Sequence, residues 1–249
     1  MAVLLGVLIP LVGTSLGAAC VFFCVGEMNR RLRSALSGFA AGIMVAASVW
    51  SLLIPAIERS SVLGALSFLP AGAGLLLGAL LMVAADVFLP DVPKEAGWGS
   101  GRMLFAVTLH NLPEGMAVGA AFAGALAGDG MLGMASATAL AVGVAIQNVP
   151  EGAIVSVPLH ARGVPRTLSF FGGVLSGAVE PLGAAITLLA AGIVLPILPF
   201  MLGFAAGAML YVVVAELVPE IAESGHRQIG NLSFFFGFLI MMTLDVMLG

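Results

Sequence analysis

Apolar residues run through this sequence in long blocks, broken by brief polar stretches. Runs of roughly 20 apolar residues match the length a helix needs to cross a bilayer. They fall at about 2–25, 36–57, 66–89, 103–125, 131–159, 167–191, 196–219 and 231–248. The pattern predicts an all-α polytopic membrane protein with eight transmembrane helices, forming one transmembrane domain over residues 1–249. The fifth run is longer than the bilayer is thick, so it is expected to tilt, bend or protrude. The connections are short, so neighbouring helices run antiparallel and no soluble domain is expected. The first run lacks the charged start of a secretory signal, and it reads as a spanning helix rather than a cleaved peptide.

Composition agrees with the pattern. Apolar residues make up 61% of the chain and charged residues only 9%, against roughly 25% charged in a soluble domain. No basic run suggests nucleic acid as a partner. The positive charges set an orientation. Arg30, Arg31 and Arg33 follow helix 1, Lys94 and Arg102 follow helix 3, Arg162 and Arg166 follow helix 5, and Arg227 follows helix 7. Arg59 stands alone on the other side. The reading is an integral protein of the plasma (inner) membrane with both termini outside, periplasmic in a Gram-negative host. Cys20 and Cys24, one turn apart, read as small residues at a helix contact rather than a metal or redox pair.

Two similarities divide the chain into an inverted repeat. Helix 2 begins Gly38-Phe39-Ala40-Ala41-Gly42-Ile43-Met44, and helix 7 begins Gly203-Phe204-Ala205-Ala206-Gly207-Ala208-Met209. Both later reach a proline near the expected helix end, Pro55 and Pro219. Helix 4 carries His110-Asn111-Leu112-Pro113-Glu114-Gly115, and helix 5 carries Gln147-Asn148-Val149-Pro150-Glu151-Gly152. Each pair runs in opposite directions by the topology above. Helices 1–3 and 6–8 are thus expected to be related around central helices 4 and 5. Transporters of this build place their substrate near the midplane, at interrupted helices.

The repeated motif also concentrates the chemistry. Glu114, Glu151 and Glu180 lie deep within apolar runs, where a lone ionised carboxylate costs several kcal/mol. No lysine or arginine falls at that depth in any span. Protons, a metal ion or both must therefore supply the positive charge. His110 and Glu114 share a helix face, as do Gln147 and Glu151, with Asn111 and Asn148 at its margin. Pro113 and Pro150 remove amide donors and free the carbonyls of Leu109 and Ile146. Imidazole with carboxylate suits zinc and neighbouring transition metals, whereas calcium or magnesium prefers oxygen alone.

These motifs resemble the ZIP (Zrt/Irt-like) family of divalent-metal transporters, closest to its GufA-type branch, and the resemblance spans essentially the whole chain. It implies transport of zinc, with cadmium, iron and manganese as further substrates, toward the cytoplasm through a midplane binuclear site with alternating access. It implies no organic cofactor and is compatible with a homodimer in the lipid bilayer. Carried over by motif position, His110, Glu114, Gln147 and Glu151 form one site, with Met44 adding sulfur. Asn111, Asn148, Glu151 and Glu180 form the second, bridged by Glu151. Asn148 stands where some relatives have aspartate, so the second site is expected to be weaker. Residues 90–102 lack the histidines that many relatives carry in the loop between helices 3 and 4.

Other polar residues stand outside that centre. Glu216, Glu220, Glu223 and His226, with Asp86 and His160, gather at the inner ends of helices, either as interfacial charges or as a metal exit path. Glu58 and Asp245 sit near the outer ends, with an approach path as the less favoured reading. Trp50, Trp98 and Tyr211 read as anchors or packing residues. Two other functions compete with this one. An intramembrane metalloprotease needs His-Glu-x-x-His, which does not occur. A non-transporting metal receptor would need an output domain, which the apolar runs leave no room for.

Overall fold

A computed structural model describes residues 2–23, 28–88, 101–128 and 133–248, without the side chains of 101–110 and 248. Among the described residues the chain is helical and contains no strand. The long helices are α1 (Ala2–Phe22), α2 (Arg30–Arg59), α3 (Phe68–Phe88), α4 (Gly101–Leu126), α5 (Met134–Ala161), α6 (Arg166–Leu189), α7 (Ala191–Glu223) and α8 (Arg227–Leu248). Among the described residues seven of these, all but α4, are long and apolar enough to cross a membrane. Leu76, Leu77, Leu80 and Leu81 of α3 and Leu232, Phe235, Phe236 and Leu239 of α8 face outward. An apolar surface of that extent suits lipid and not water. The chain is a polytopic helical membrane protein. Lys94 and Trp98 lie outside the described residues, as does Cys24.

Burial ranks the helices. The apolar window of α5 is 67% buried, while those of α3 and α8 are 22% and 17% buried. So α5 is central and α3 and α8 are peripheral. The helices pair α1 with α5, α4 with α6, α2 with α8 and α3 with α7. One group therefore holds α1, α4, α5 and α6, and the other α2, α3, α7 and α8. Contacts of α2 with α5 and of α7 with α4 join the two groups.

Small residues set these pairings. A Cβ built on Gly38 or Gly42 of α2 would lie 2.0 Å from the carbonyl oxygen of Gly230 or Phe234 in α8. On α7, a Cβ at Gly203 or Gly207 would lie 2.1 or 2.0 Å from the carbonyl of Ala71 or Leu75 in α3. Backbones this close admit only glycine. The similar heptapeptides of α2 and α7 thus do the same packing work on different partners. Gly42→Ala is expected to lower the thermal midpoint of the purified protein, at a cost of about 1–3 kcal/mol for overpacking. Gly192→Ala, where a Cβ meets nothing within 4 Å, should leave the midpoint in place. Equal midpoints for the two variants would refute this packing.

Pro55 and Pro219 stand near the ends of α2 and α7, as expected, but neither terminates its helix. Each helix takes up its proline by a π turn. In α2 the turn spans Ser48–Leu53 and the Ile54 N–H donates to the Val49 carbonyl. In α7 it spans Val213–Leu217 and the Val218 N–H donates to the Val213 carbonyl. Pro55 and Pro219 follow at once. The widened register accommodates a residue that has no N–H to donate, and the helices continue to Arg59 and Glu223. By contrast α4 and α5 stay helical through Pro113, Pro150 and Pro158.

A break occurs in α6 instead. Its first half ends at Gly177 and its second begins at Val179. Pro181 has no N–H for the Gly177 carbonyl, and the Ala178 N–H turns back to the Leu175 carbonyl. Glu180 consequently sits in the first turn of the second half-helix, where the helix dipole favours negative charge.

Candidate metal centre

Three helices bring the motif residues together. On α4, Asn111 is fully buried and Glu114 nearly so; on α5, Gln147 and Asn148 are fully buried. Glu180 of α6 is 1% exposed. Glu151 of α5 is partly exposed, one helical turn beyond Gln147. The close approach of α4 to α6 depends on Gly115, whose Cβ would lie 2.1 Å from the Glu180 carbonyl.

Amides and carboxylates pair across the helices. Gln147 Nε2 donates to Glu114 Oε1 at 2.8 Å, joining α5 to α4. Asn148 Nδ2 donates to Glu180 Oε2 at 2.7 Å, joining α5 to α6. Asn111 Nδ2 donates to the Ser176 carbonyl at 3.0 Å, just before the break in α6. Thr14 of α1 donates to Glu180 Oε1 at 3.2 Å. Sequence reasoning did not single out Thr14, because a threonine in an apolar helix ordinarily bonds back to its own helix. That in-helix acceptor, the Pro10 carbonyl at 3.3 Å, competes with Glu180 for the same proton.

Every amide nitrogen in this centre is committed, and its partner oxygen is not. Among the described residues, Asn111 Oδ1, Gln147 Oε1 and Asn148 Oδ1 are buried without a hydrogen-bond donor, and so is Glu114 Oε2. An unsatisfied buried polar group costs roughly 1–3 kcal/mol. Four such oxygens in one region, together with carboxylates, form a donor set for a cation. Glu114, Glu151 and Glu180 also lie close enough to repel one another. A dication would relieve both defects. Among the described residues, no three His, Cys, Asp or Glu side chains form a closed metal site. The donors that converge here are in large part amides. The His110 side chain lies outside the described residues. Met44 is buried in the apolar core.

Away from the centre, a line of acids follows α7. Glu151 and Glu216 lie close enough to repel, and so do Glu216 and Asp86, and Glu216 and Glu220. Tyr211 donates to Asp86 Oδ2 at 2.5 Å, a role its sequence context did not reveal. Glu220 is ion-paired with Arg33 and accepts from Ser37. His160 Nδ1 donates to the Val164 carbonyl at 2.9 Å, which closes the turn after α5. His226 caps locally through its backbone, its N–H donating to Ser224 Oγ. On the other face, a cavity of about 280 Å³ is lined by Trp50, Ser51, Glu58 and Asp245 among others. Ser51 donates to Asp245 Oδ1 at 2.6 Å.

A membrane body that is helical throughout its described residues, with paired carboxylates and amides at its centre, suits an ion transporter. Comparison with known proteins specifies which kind. The family described as ZIP zinc transporter matches residues 100–245. Zinc transporter ZIPB of Bordetella bronchiseptica is 37% identical, over 95% of this chain and 78% of its own length. Zinc transporter GufA of Myxococcus xanthus is 34% identical over 95% and 94%. Zinc transporter ZIP11 of Xenopus tropicalis is 34% identical over 99% and 97%. The chain belongs to the ZIP family, a family of transporters and not of enzymes.

Proposed function

We propose that this protein carries divalent transition metal ions, zinc first, from outside to the cytoplasm, with cadmium, iron and manganese as further substrates. Its relatives are named zinc transporters. The observation that carries the reading is the set of four buried oxygens on Asn111, Glu114, Gln147 and Asn148 that have no donor among the described residues. His110, Glu114, Gln147 and Glu151, with Met44, make one cation site in this reading. Asn111, Asn148, Glu151 and Glu180 make a second, and Glu151 bridges them.

The proposal extends to architecture. Eight spans, both termini outside, enclose an inverted repeat that relates helices 1–3 to 6–8 and α4 to α5. The pairings support it. Exchanging α1 with α6, α2 with α7, α3 with α8 and α4 with α5 turns the α1–α5 contact into α6–α4, and α2–α8 into α7–α3. The matched π turns of α2 and α7 support it as well. Alternating access then moves one helix group against the other. Cations approach past Glu58 and Asp245 and leave along Glu216, Asp86 and Glu220.

Flux into sealed proteoliposomes, measured with zinc, cadmium, iron, manganese and magnesium in turn, tests the function. Zinc should accumulate and magnesium should not. Zinc binding without any flux would contradict transport and favour a receptor.

A further inference from the structure

We infer that Thr14 of α1 is a positioning residue of the metal centre, whose hydroxyl fixes the Glu180 carboxylate for a divalent cation. The inference rests on the transport reading above and adds α1 to the site. Within Ala2–Ala18 the only polar side chains are Thr14 and Ser15. Thr14 is fully buried, and its place is set on two sides. A Cβ on Gly152 of α5 would lie 2.1 Å from the Thr14 carbonyl, and one on Gly177 of α6 would lie 2.6 Å from Thr14 Oγ1. Gly152 makes room for the Thr14 backbone and Gly177 for its side chain. Gly177 is also the last residue before the break in α6, three positions ahead of Glu180.

Glu180 is thus held at both oxygens. Thr14 Oγ1 donates to Oε1 at 3.2 Å and Asn148 Nδ2 donates to Oε2 at 2.7 Å. Asn148 Nδ2 also donates to the Pro10 carbonyl at 3.3 Å, and that carbonyl lies 3.3 Å from Thr14 Oγ1 as the second acceptor within reach of its single proton. Thr14, Asn148, Glu180 and Pro10 form one closed network over α1, α5 and α6. A carboxylate oxygen has more than one lone pair, so each oxygen retains capacity for a cation while the donors fix its direction. A half-helix free to swing at Ala178 would otherwise let Glu180 wander. Supporting groups of this kind commonly change metal affinity by 10–100-fold when removed.

The test compares Thr14→Val, which keeps the shape and loses the hydroxyl, with Thr14→Ser, which keeps the hydroxyl. Zinc uptake kinetics and equilibrium zinc binding against a chromophoric chelator are measured on purified full-length protein. Thr14→Val should raise KM and the zinc Kd about tenfold, the scale of one hydrogen bond to a charged group. Its maximal rate and thermal midpoint should change little, and Thr14→Ser should recover most of the affinity. In a Glu180→Gln background, Thr14→Val should add little further loss. Native KM and Kd in Thr14→Val overturn the inference. So does equal impairment of Thr14→Ser and Thr14→Val, or a full Thr14→Val effect without the Glu180 carboxylate, since either marks packing alone. If Thr14→Val does not assemble, Thr14→Ala, smaller than the native side chain, carries the same comparison. A wild-type protein without zinc flux would sink the transport reading, whereas native behaviour of Thr14→Val alone sinks only this one.

Discussion

Glu151→Ala is expected to reduce zinc uptake into proteoliposomes by about 100-fold or more, while the protein still purifies as a folded membrane protein. Loss of a group that merely supports a metal ligand costs 10–100-fold, and loss of a bridging ligand should reach at least the upper end. Glu151 is the acid that joins the two halves of the arrangement. It lies within electrostatic reach of Glu114 and Glu180 at the centre and of Glu216 on the line leading away. It is also partly exposed where Glu114 and Glu180 are sealed. The loss should appear for every transported metal. Uptake at the wild-type rate in Glu151→Ala would remove the bridging site from the account.

Gly115→Ala is expected to impair both function and stability, through one methyl group. The added Cβ would lie 2.1 Å from the Glu180 carbonyl oxygen and 2.6 Å from its Cα. Backbone cannot rotate away as a side chain can, so α4 and α6 must separate. Overpacking of this kind costs about 1–3 kcal/mol. The displacement falls between Glu114 on α4 and Glu180 on α6, so zinc affinity should fall along with the melting midpoint. Gly119→Ala, one turn on, tests the origin of the effect. Its Cβ would lie 2.6 Å from the Ala184 carbonyl, away from the carboxylates. It should destabilise with a smaller loss of zinc affinity. Native affinity in Gly115→Ala would contradict the shared α4–α6 geometry.

Much of this was legible in the residues. The doubled Pro-Glu-Gly motif and the depth of Glu180 pointed to one buried acidic centre, and the structure places Glu114 and Glu180 near Glu151 with amides between them. The Gly-Phe-Ala-Ala-Gly stretches, matched in the sequence as a repeat, both make close helix contacts, at Gly42 and Gly207. What the sequence did not show is how each proline is tolerated. Pro113 and Pro150 leave their helices intact, Pro55 and Pro219 induce π turns, and Pro181 accompanies a break. The missing N–H is the same in each, and the outcome depends on what neighbouring helices offer the freed carbonyl. Pairing partners were equally hidden. A glycine-rich face states that something packs closely, not which helix does. Thr14 escaped for that reason, since its significance comes entirely from Glu180 on a distant segment.

Anomalous scattering at the zinc edge, from crystals soaked in zinc, tests the central claim most directly. A peak between α4 and α5, within bonding distance of Glu114 and Glu151, is the result expected if a travelling dication balances the buried acids. Crystals with no peak there, and with Glu114 and Glu151 turned away from each other, would contradict the account.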